Sequence, residues 1–120
     1  MWSDAPVLDP DALARLHRLG GAGFVAELLR LFDEQGSARV AAITSAAAAG
    51  DLETVRRSAH SLVSTAGNLG ARRLQALATA IERAVASHDT AAVSTLVPTL
   101  APALDAAREA LTSRHAESPS

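Results

Sequence analysis

Apolar residues recur along the chain at the spacing of an α-helix. Within each apolar stretch they alternate steps of three and four positions, which places them on one face of a helix. Four stretches show this pattern, namely residues 22–49, 51–70, 71–85 and 93–111. Helix-stop and turn residues separate the stretches, namely Gly20-Gly21, Gly50-Asp51, Gly70 and residues 87–90. The pattern predicts four amphipathic helices.

A short helix is predicted ahead of these four. Asp9-Pro10 is a helix-start signal, and Gly20-Gly21 is the matching stop. We therefore expect an all-α fold, an up-down antiparallel four-helix bundle with a short additional N-terminal helix. Pro98 should kink or restart the last helix, because proline removes a backbone donor and clashes with the preceding turn.

The same boundaries divide the chain into three parts. Residues 9–114 are predicted to form the bundle domain. Residues 1–8 are predicted to be an N-terminal tail. Residues 115–120 are predicted to be a disordered C-terminal tail, because this segment is polar and terminal.

The composition agrees with helices and narrows the class of function. Ala and Leu are abundant, whereas aromatic residues make up only 2% of the 120 positions. A formal net charge of −2 argues against a nucleic-acid-binding protein, which normally carries a basic face. The chain has no cysteine, and no stretch approaches the about 18 consecutive apolar residues of a membrane span. We expect a cytoplasmic protein that neither binds nucleic acid nor acts at a membrane by itself.

His60 has an unusual place in the helix predicted over residues 51–70. It directly follows the apolar position Ala59, so it lies about 100° around the helix, at the border of the buried face. The residues in line with it are Arg56 and Arg57 one turn before, and Val63, Ser64 and Gly67 one and two turns after. Apart from the arginines, this strip is small and uncharged. It indicates a docking surface, although a border histidine held by hydrogen bonds is the simpler interpretation.

The residues around His60 resemble the signature of histidine-containing phosphotransfer (HPt) domains. The run Ala59-His60-Ser61-Leu62, followed by Asn68-Leu69-Gly70-Ala71 and Leu74, is similar to the family pattern A-H-x-L-K-G-x-x-x-x-x-G-x-x-x-L. The resemblance continues upstream through Phe24, Glu27, Leu28, Phe32 and Ala49-Gly50-Asp51, and downstream to Glu82. It covers roughly residues 9–113.

The resemblance implies a phosphorelay intermediate. His60 would accept a phosphoryl group from a receiver-domain aspartate and pass it on, and the receiver would supply Mg²⁺, so the chain itself needs no cofactor and has no independent catalytic activity. The implied partners are a response-regulator receiver domain, a hybrid sensor histidine kinase, or both. We expect a cytoplasmic monomer, either free or as part of a membrane-bound sensor kinase.

Two positions depart from the family pattern within one turn of His60. Val63 and Ser64 stand where the family usually has Lys and then Gly. Helical side chains lean toward the N-terminus, so a lysine at position 63 would lean back over the histidine and neutralise its phosphoryl group. Ser64 could instead donate a hydrogen bond, whereas Arg56 and Arg57 lean away.

The remaining site residues are expected to serve the partner or the imidazole. Val63 and Gly67 are expected to contact the docked receiver. Gln35 and Glu82 are expected to orient His60 if the bundle register brings them to it.

Two other classes of function remain open. The chain could be a non-catalytic bundle that docks a receiver domain or kinase without carrying phosphate. It could also be the dimerising helical domain of a histidine kinase, but that family has an acidic residue directly after its histidine, whereas Ser61 follows here. His17, His88 and His115 are expected to be solvated, and no histidine has metal-ligand spacing.

Overall fold

The computed structural model describes residues 1–117 and is all-helical over that range. Five α-helices follow one another, α1 (Ala12–Ala48), α2 (Leu52–Asn68), α3 (Arg72–Ala86), α4 (Thr90–Leu96) and α5 (Leu100–Glu117). Short 3₁₀ turns lie at Trp2–Asp4 and Val97–Thr99. Because the second turn joins α4 to α5, these two form the last arm of a four-helix bundle. The predicted fold class is confirmed.

The predicted helix boundaries correspond to specific local interactions. The Asp51 side chain accepts a hydrogen bond from the Thr54 backbone N–H (3.1 Å) and caps α2, and Asp89 caps α4 in the same way through Ala92 (3.0 Å). Gly70 follows α2 with φ 71°, a left-handed conformation that suits glycine. The 3₁₀ turn at Val97–Thr99 contains Pro98, so the expected restart occurs there.

The short N-terminal helix and the long second helix are continuous except at one residue. Gly21 has φ 82° and ψ −179° and interrupts the helical geometry inside α1. Residues 12–20 therefore form the short predicted helix, and the rest of α1 forms the long one. The predicted break is confirmed, but no separate loop is needed to make it.

Apolar stripes from all four arms meet in one core. The largest fully buried side chains are Val25, Ile43, Val55, Leu62, Leu74, Leu77, Ile81, Leu100 and Leu111. Polar contacts fix α1 against α5, where Arg108 Nε lies 2.6 Å from Asp33 and its Nη2 donates to the Ser37 hydroxyl (3.0 Å). Burial of the stripes supplies most of the stability, because the hydrophobic effect scales with the apolar area removed from water.

The C-terminal tail prediction is wrong for residues 115–117. These residues belong to α5, and His115 is half-buried against His17 of α1, with Nδ1 3.2 Å from His17 Nε2. The helix therefore continues beyond Arg114, and the contact corrects the expectation that both histidines are solvated. His88 is exposed, as expected. The predicted tail residues 118–120 lie outside the described residues.

The N-terminal segment folds back onto the bundle. Arg73 donates to the Ala5 carbonyl (2.9 Å), and the Asp9 backbone N–H donates to the Gly70 carbonyl (2.8 Å). Trp2 is partly buried against the core. The loop after α2 is therefore held by the start of the chain.

Gly70→Ala should destabilise the fold, whereas Gly23→Ala should not. Alanine at position 70 would adopt a strained φ, and its Cβ would lie 2.5 Å from the Ala12 Cβ, so we expect a loss of about 2 kcal/mol. Gly23 lies in a helix with no atom within 4 Å of an added Cβ, so alanine there should be neutral or stabilise by up to about 1 kcal/mol. Urea unfolding of both variants measures the two changes, and equal effects would contradict this account of Gly70.

Candidate functional site

His60 lies on the outer edge of α2. Its neighbour Ala59 is completely buried, whereas 70% of the His60 side chain is exposed. The packing of Ala59 and Leu62 fixes the helix face, so the position of His60 relative to the core is fixed as well. The imidazole is mounted on a rigid element and is open to a partner.

Glu82 of α3 contacts the imidazole directly. Its Oε2 lies 2.8 Å from His60 Nδ1. A carboxylate can only accept a hydrogen bond, so Nδ1 must carry the proton in this contact. In a neutral ring the lone pair then lies on Nε2, the nitrogen away from Glu82. When the ring is neutral, this contact therefore leaves Nε2 as the nitrogen that can act as a nucleophile.

The contact between His60 and Glu82 belongs to a regular antiparallel register. One step of seven residues along each helix leads from this pair to Gly67 and Gln75, which also lie against each other. Between the two pairs, the same register sets Val63 opposite Thr79. We call this line the α2–α3 seam. It comprises His60, Val63 and Gly67 of α2 and Glu82, Thr79 and Gln75 of α3; His60 is exposed and the other five are half-buried. Apart from the His60–Glu82 pair, the seam residues are uncharged.

The two arginines before His60 are directed toward the preceding turn. Arg56 donates to Glu53 through Nη2 (2.6 Å) and Nε (3.3 Å), and Arg57 donates to the Thr54 hydroxyl (3.2 Å). The hydrogen bond to Glu53 raises the pKa of Arg56, and the same bond lowers the pKa of the Glu53 carboxyl. The pair therefore remains charged across the neutral range. The Glu82 carboxylate beside His60 also contributes to the raised pKa of Arg56, although less than Glu53 does.

The turn after His60 provides no cation. Val63 is half-buried and packs against the core, and Ser64 is exposed without a side-chain hydrogen bond among the described residues. Ser64 is thus free to donate its hydroxyl, whereas Val63 can offer only apolar surface. Gly67, two turns after His60, is half-buried beneath Gln75.

The structure contradicts the prediction that Gln35 faces His60. Gln35 lines a separate groove between α1 and α2 with Thr65 and Asn68. Those two residues lie about 80–140° around α2 from the histidine, on the side that faces α1. Glu82 is therefore the one of the two expected residues that reaches the imidazole; its role in transfer stays a prediction.

Gln75 and Thr79 were not singled out from the sequence, although both belong to the seam. The spacing from Glu82 is the sequence signal for both residues, because positions three and seven before Glu82 lie on the same helix face. Without the register of α2 against α3, nothing in the sequence distinguished that face from any other.

Residues 1–117 contain neither clustered metal ligands nor a membrane-spanning helix. No group of three or more His, Cys, Asp or Glu residues there is placed to hold a metal ion. None of the helices in this range is long and apolar enough to cross a membrane.

Comparison with known proteins decides the family. The family model described as Hpt domain matches residues 27–111, which is most of the chain and includes α2 and α3. The chain belongs to the Hpt domain family. The predicted resemblance is confirmed, and this Hpt domain has the role of its family, histidine phosphotransfer in a two-component phosphorelay.

The fold of this Hpt domain is also similar to a solved structure. The crystal structure of histidine-containing phosphotransfer protein B (HptB) from Pseudomonas aeruginosa PAO1 matches with a TM-score of 0.85 at 22% sequence identity, over 95% of this chain and 98% of that chain. At that identity the match shows the fold alone. The search of curated proteins found no match to this chain.

Glu82→Ala should remove the preference of His60 for a single neutral tautomer. In the wild-type Hpt domain we expect one neutral tautomer, with the proton on Nδ1, because Glu82 accepts from that nitrogen. The variant should exchange between tautomers. Long-range ¹H–¹⁵N correlation spectra of the imidazole report the proton position directly, with the exposed His88 as an internal reference. Identical His60 spectra in the two proteins would show that Glu82 does not set the tautomer.

Proposed function

We propose that His60 Nε2 is the phosphoryl carrier of this Hpt domain. It takes the group from the aspartate of one receiver domain and passes it to another. The observation that carries the proposal is the exposed imidazole whose Nδ1 is held by Glu82 at 2.8 Å. The Hpt-family role supports it, because a transfer domain needs one reachable nucleophile on a rigid support.

The transfer step follows from this geometry. The Nε2 lone pair attacks the phosphorus of the aspartyl phosphate, an Nε2–P bond forms, and the P–O bond to the aspartate breaks with its electron pair returning to the carboxylate. The ring gains positive charge, and the Glu82 carboxylate beside the Nδ1 proton stabilises it. The reverse sequence of bonds passes the group to the next aspartate.

The chain supplies little charge to the transferred group itself. Arg56 is engaged by Glu53, and Val63 occupies the place from which a cation would lean over Nε2. The receiver must therefore provide most of the neutralising charge, including its Mg²⁺. Ser64, one turn after His60, is exposed and carries a hydroxyl that can donate a hydrogen bond from the C-terminal side.

The partners in this proposal are a receiver domain, a hybrid sensor histidine kinase, or both. We propose that the Hpt domain binds them as a monomer in the cytoplasm. The α2–α3 seam is the docking surface, with Val63 and Gly67 in contact with the receiver.

One observation favours a second candidate, a bundle that docks a receiver without carrying phosphate. The turn after His60 lacks the cation that would stabilise a phosphohistidine, and Ser64 adds a side chain at the position of closest approach. This candidate keeps the seam as a docking surface but assigns no chemistry to the imidazole.

Phosphotransfer assays separate the two candidates. Incubation with a ³²P-phosphorylated receiver domain and Mg²⁺ should give acid-labile, alkali-stable label on the wild-type chain. His60→Gln should abolish the label because it removes the nucleophile, whereas His88→Gln, in an exposed turn, should be labelled as the wild type is. Label retained by His60→Gln would contradict the proposal, and receiver binding without label on the wild type would support the docking bundle.

Val63→Lys should accelerate labelling. A lysine at position 63 adds a cation that leans toward Nε2 and is expected to stabilise the transferred group by about 1.4 kcal/mol, or about ten-fold in rate. Single-turnover transfer from the phosphorylated receiver measures the effect. Val63→Met is the matched control, since it adds similar length without charge. Equal rates for the two variants would show that the missing cation does not limit transfer.

A further inference from the structure

Gln75 occupies an unusual place on the α2–α3 seam. It lies across Gly67, where a Cβ on the glycine would come within 2.6 Å of Gln75 Nε2 and 3.3 Å of its Cδ. Because Gly67 has no side chain, the Gln75 carboxamide can lie directly over it. With any larger residue at position 67, the carboxamide would have to move.

The carboxamide of Gln75 is half-buried yet makes no side-chain hydrogen bond with any of residues 1–117. The one hydrogen bond of this residue outside the helix ladder goes to its backbone carbonyl, from the Thr79 hydroxyl (3.0 Å). A carboxamide has two N–H donors and a carbonyl acceptor. All of these remain for solvent or for a partner.

The distance from His60 places Gln75 inside the area that a docked partner covers. The two pairs of the seam are seven residues apart, or about 10 Å along the helices. A standard interface buries about 800 Å² on each partner, a patch with a radius of about 16 Å. A receiver centred on His60 therefore covers Gln75, and an amide that is covered without a hydrogen-bond partner would weaken the complex.

We propose that Gln75 is a receiver-binding residue of the seam, and that its carboxamide pairs with an exposed peptide group of the receiver main chain. A peptide group presents the donor and acceptor that complement a carboxamide. Val63 and Gly67 on one side of Gln75 carry no charge, whereas Arg72 and Arg83 line the cavity on its other side. This inference rests on the proposed function and names a residue of its docking surface.

The experiment compares variants that change only this pairing. The probe is the receiver domain from the same genome that labels the wild-type chain fastest, or binds it most tightly if none labels it, prepared with acetyl phosphate and Mg²⁺. Gln75→Ala removes the carboxamide, and Gln75→Glu keeps its shape but removes the N–H donors. Gly67→Ala displaces it, and Gln35→Ala, in the α1–α2 groove, is the matched control. Far-ultraviolet circular dichroism checks that each variant folds.

We expect Gln75→Ala and Gln75→Glu to raise the Kd for the receiver about three- to ten-fold, with Gly67→Ala in the same direction and Gln35→Ala unchanged. The transfer rate at saturating receiver and the labelling of His60 by phosphoramidate should stay at wild-type values, because the nucleophile is untouched. A Kd within two-fold of wild type for either Gln75 variant would overturn the inference.

The test separates failure of this inference from failure of the relay. A wild-type chain that binds the receiver without being labelled overturns the phosphoryl-carrier role, and the Kd of Gln75→Ala still decides the role of Gln75. A wild-type chain that binds no receiver overturns both.

Discussion

The packing of α2 against α3 in one antiparallel register is the constraint on which the site depends. Ala59, Leu62 and Ala66 of α2 are completely buried, so the rotation of α2 about its axis is fixed. The same burial of Leu74 and Ile81 fixes α3. His60 and Glu82 then meet at the exposed edge without any dedicated loop or cofactor. The chemistry of the site is a consequence of the core.

In the function proposed here, the work of phosphoryl transfer is divided between two molecules. The helical bundle provides a positioned imidazole, one carboxylate behind it and an uncharged surface around it. The receiver provides the charge that neutralises the phosphoryl group. Such a division suits a carrier, because a group held by few contacts on the bundle can leave it as readily as it arrives. The absence of a cation at Val63 moves this balance further toward the receiver.

The parts of the structure that local chemistry determines could be predicted from the sequence. Asp51, Gly70 and Pro98 each mark a boundary through a hydrogen bond, a backbone conformation or a missing donor that acts within one turn. The site could be predicted to the level of His60 and its own helix face, since a helix fixes which residues lie in line.

Features that depend on packing between helices could not be predicted in the same way. The prediction that Gln35 faces the imidazole is wrong because the register of α1 against α2 cannot be derived from periodicity alone. The contact between His17 and His115 joins residues at opposite ends of the chain, and it extends α5 through residues that look like a polar tail. Gln75 gained its significance only from its position against Gly67.

We propose that His60 offers its Nε2 atom to phosphorus while Glu82 holds its Nδ1 atom. The most direct measurement is the ¹⁵N–³¹P coupling in ¹⁵N-histidine-labelled protein after transfer from a phosphorylated receiver. We expect a single phosphohistidine at His60 with phosphorus coupled to Nε2. Phosphorus on Nδ1, or on any other histidine, would contradict it.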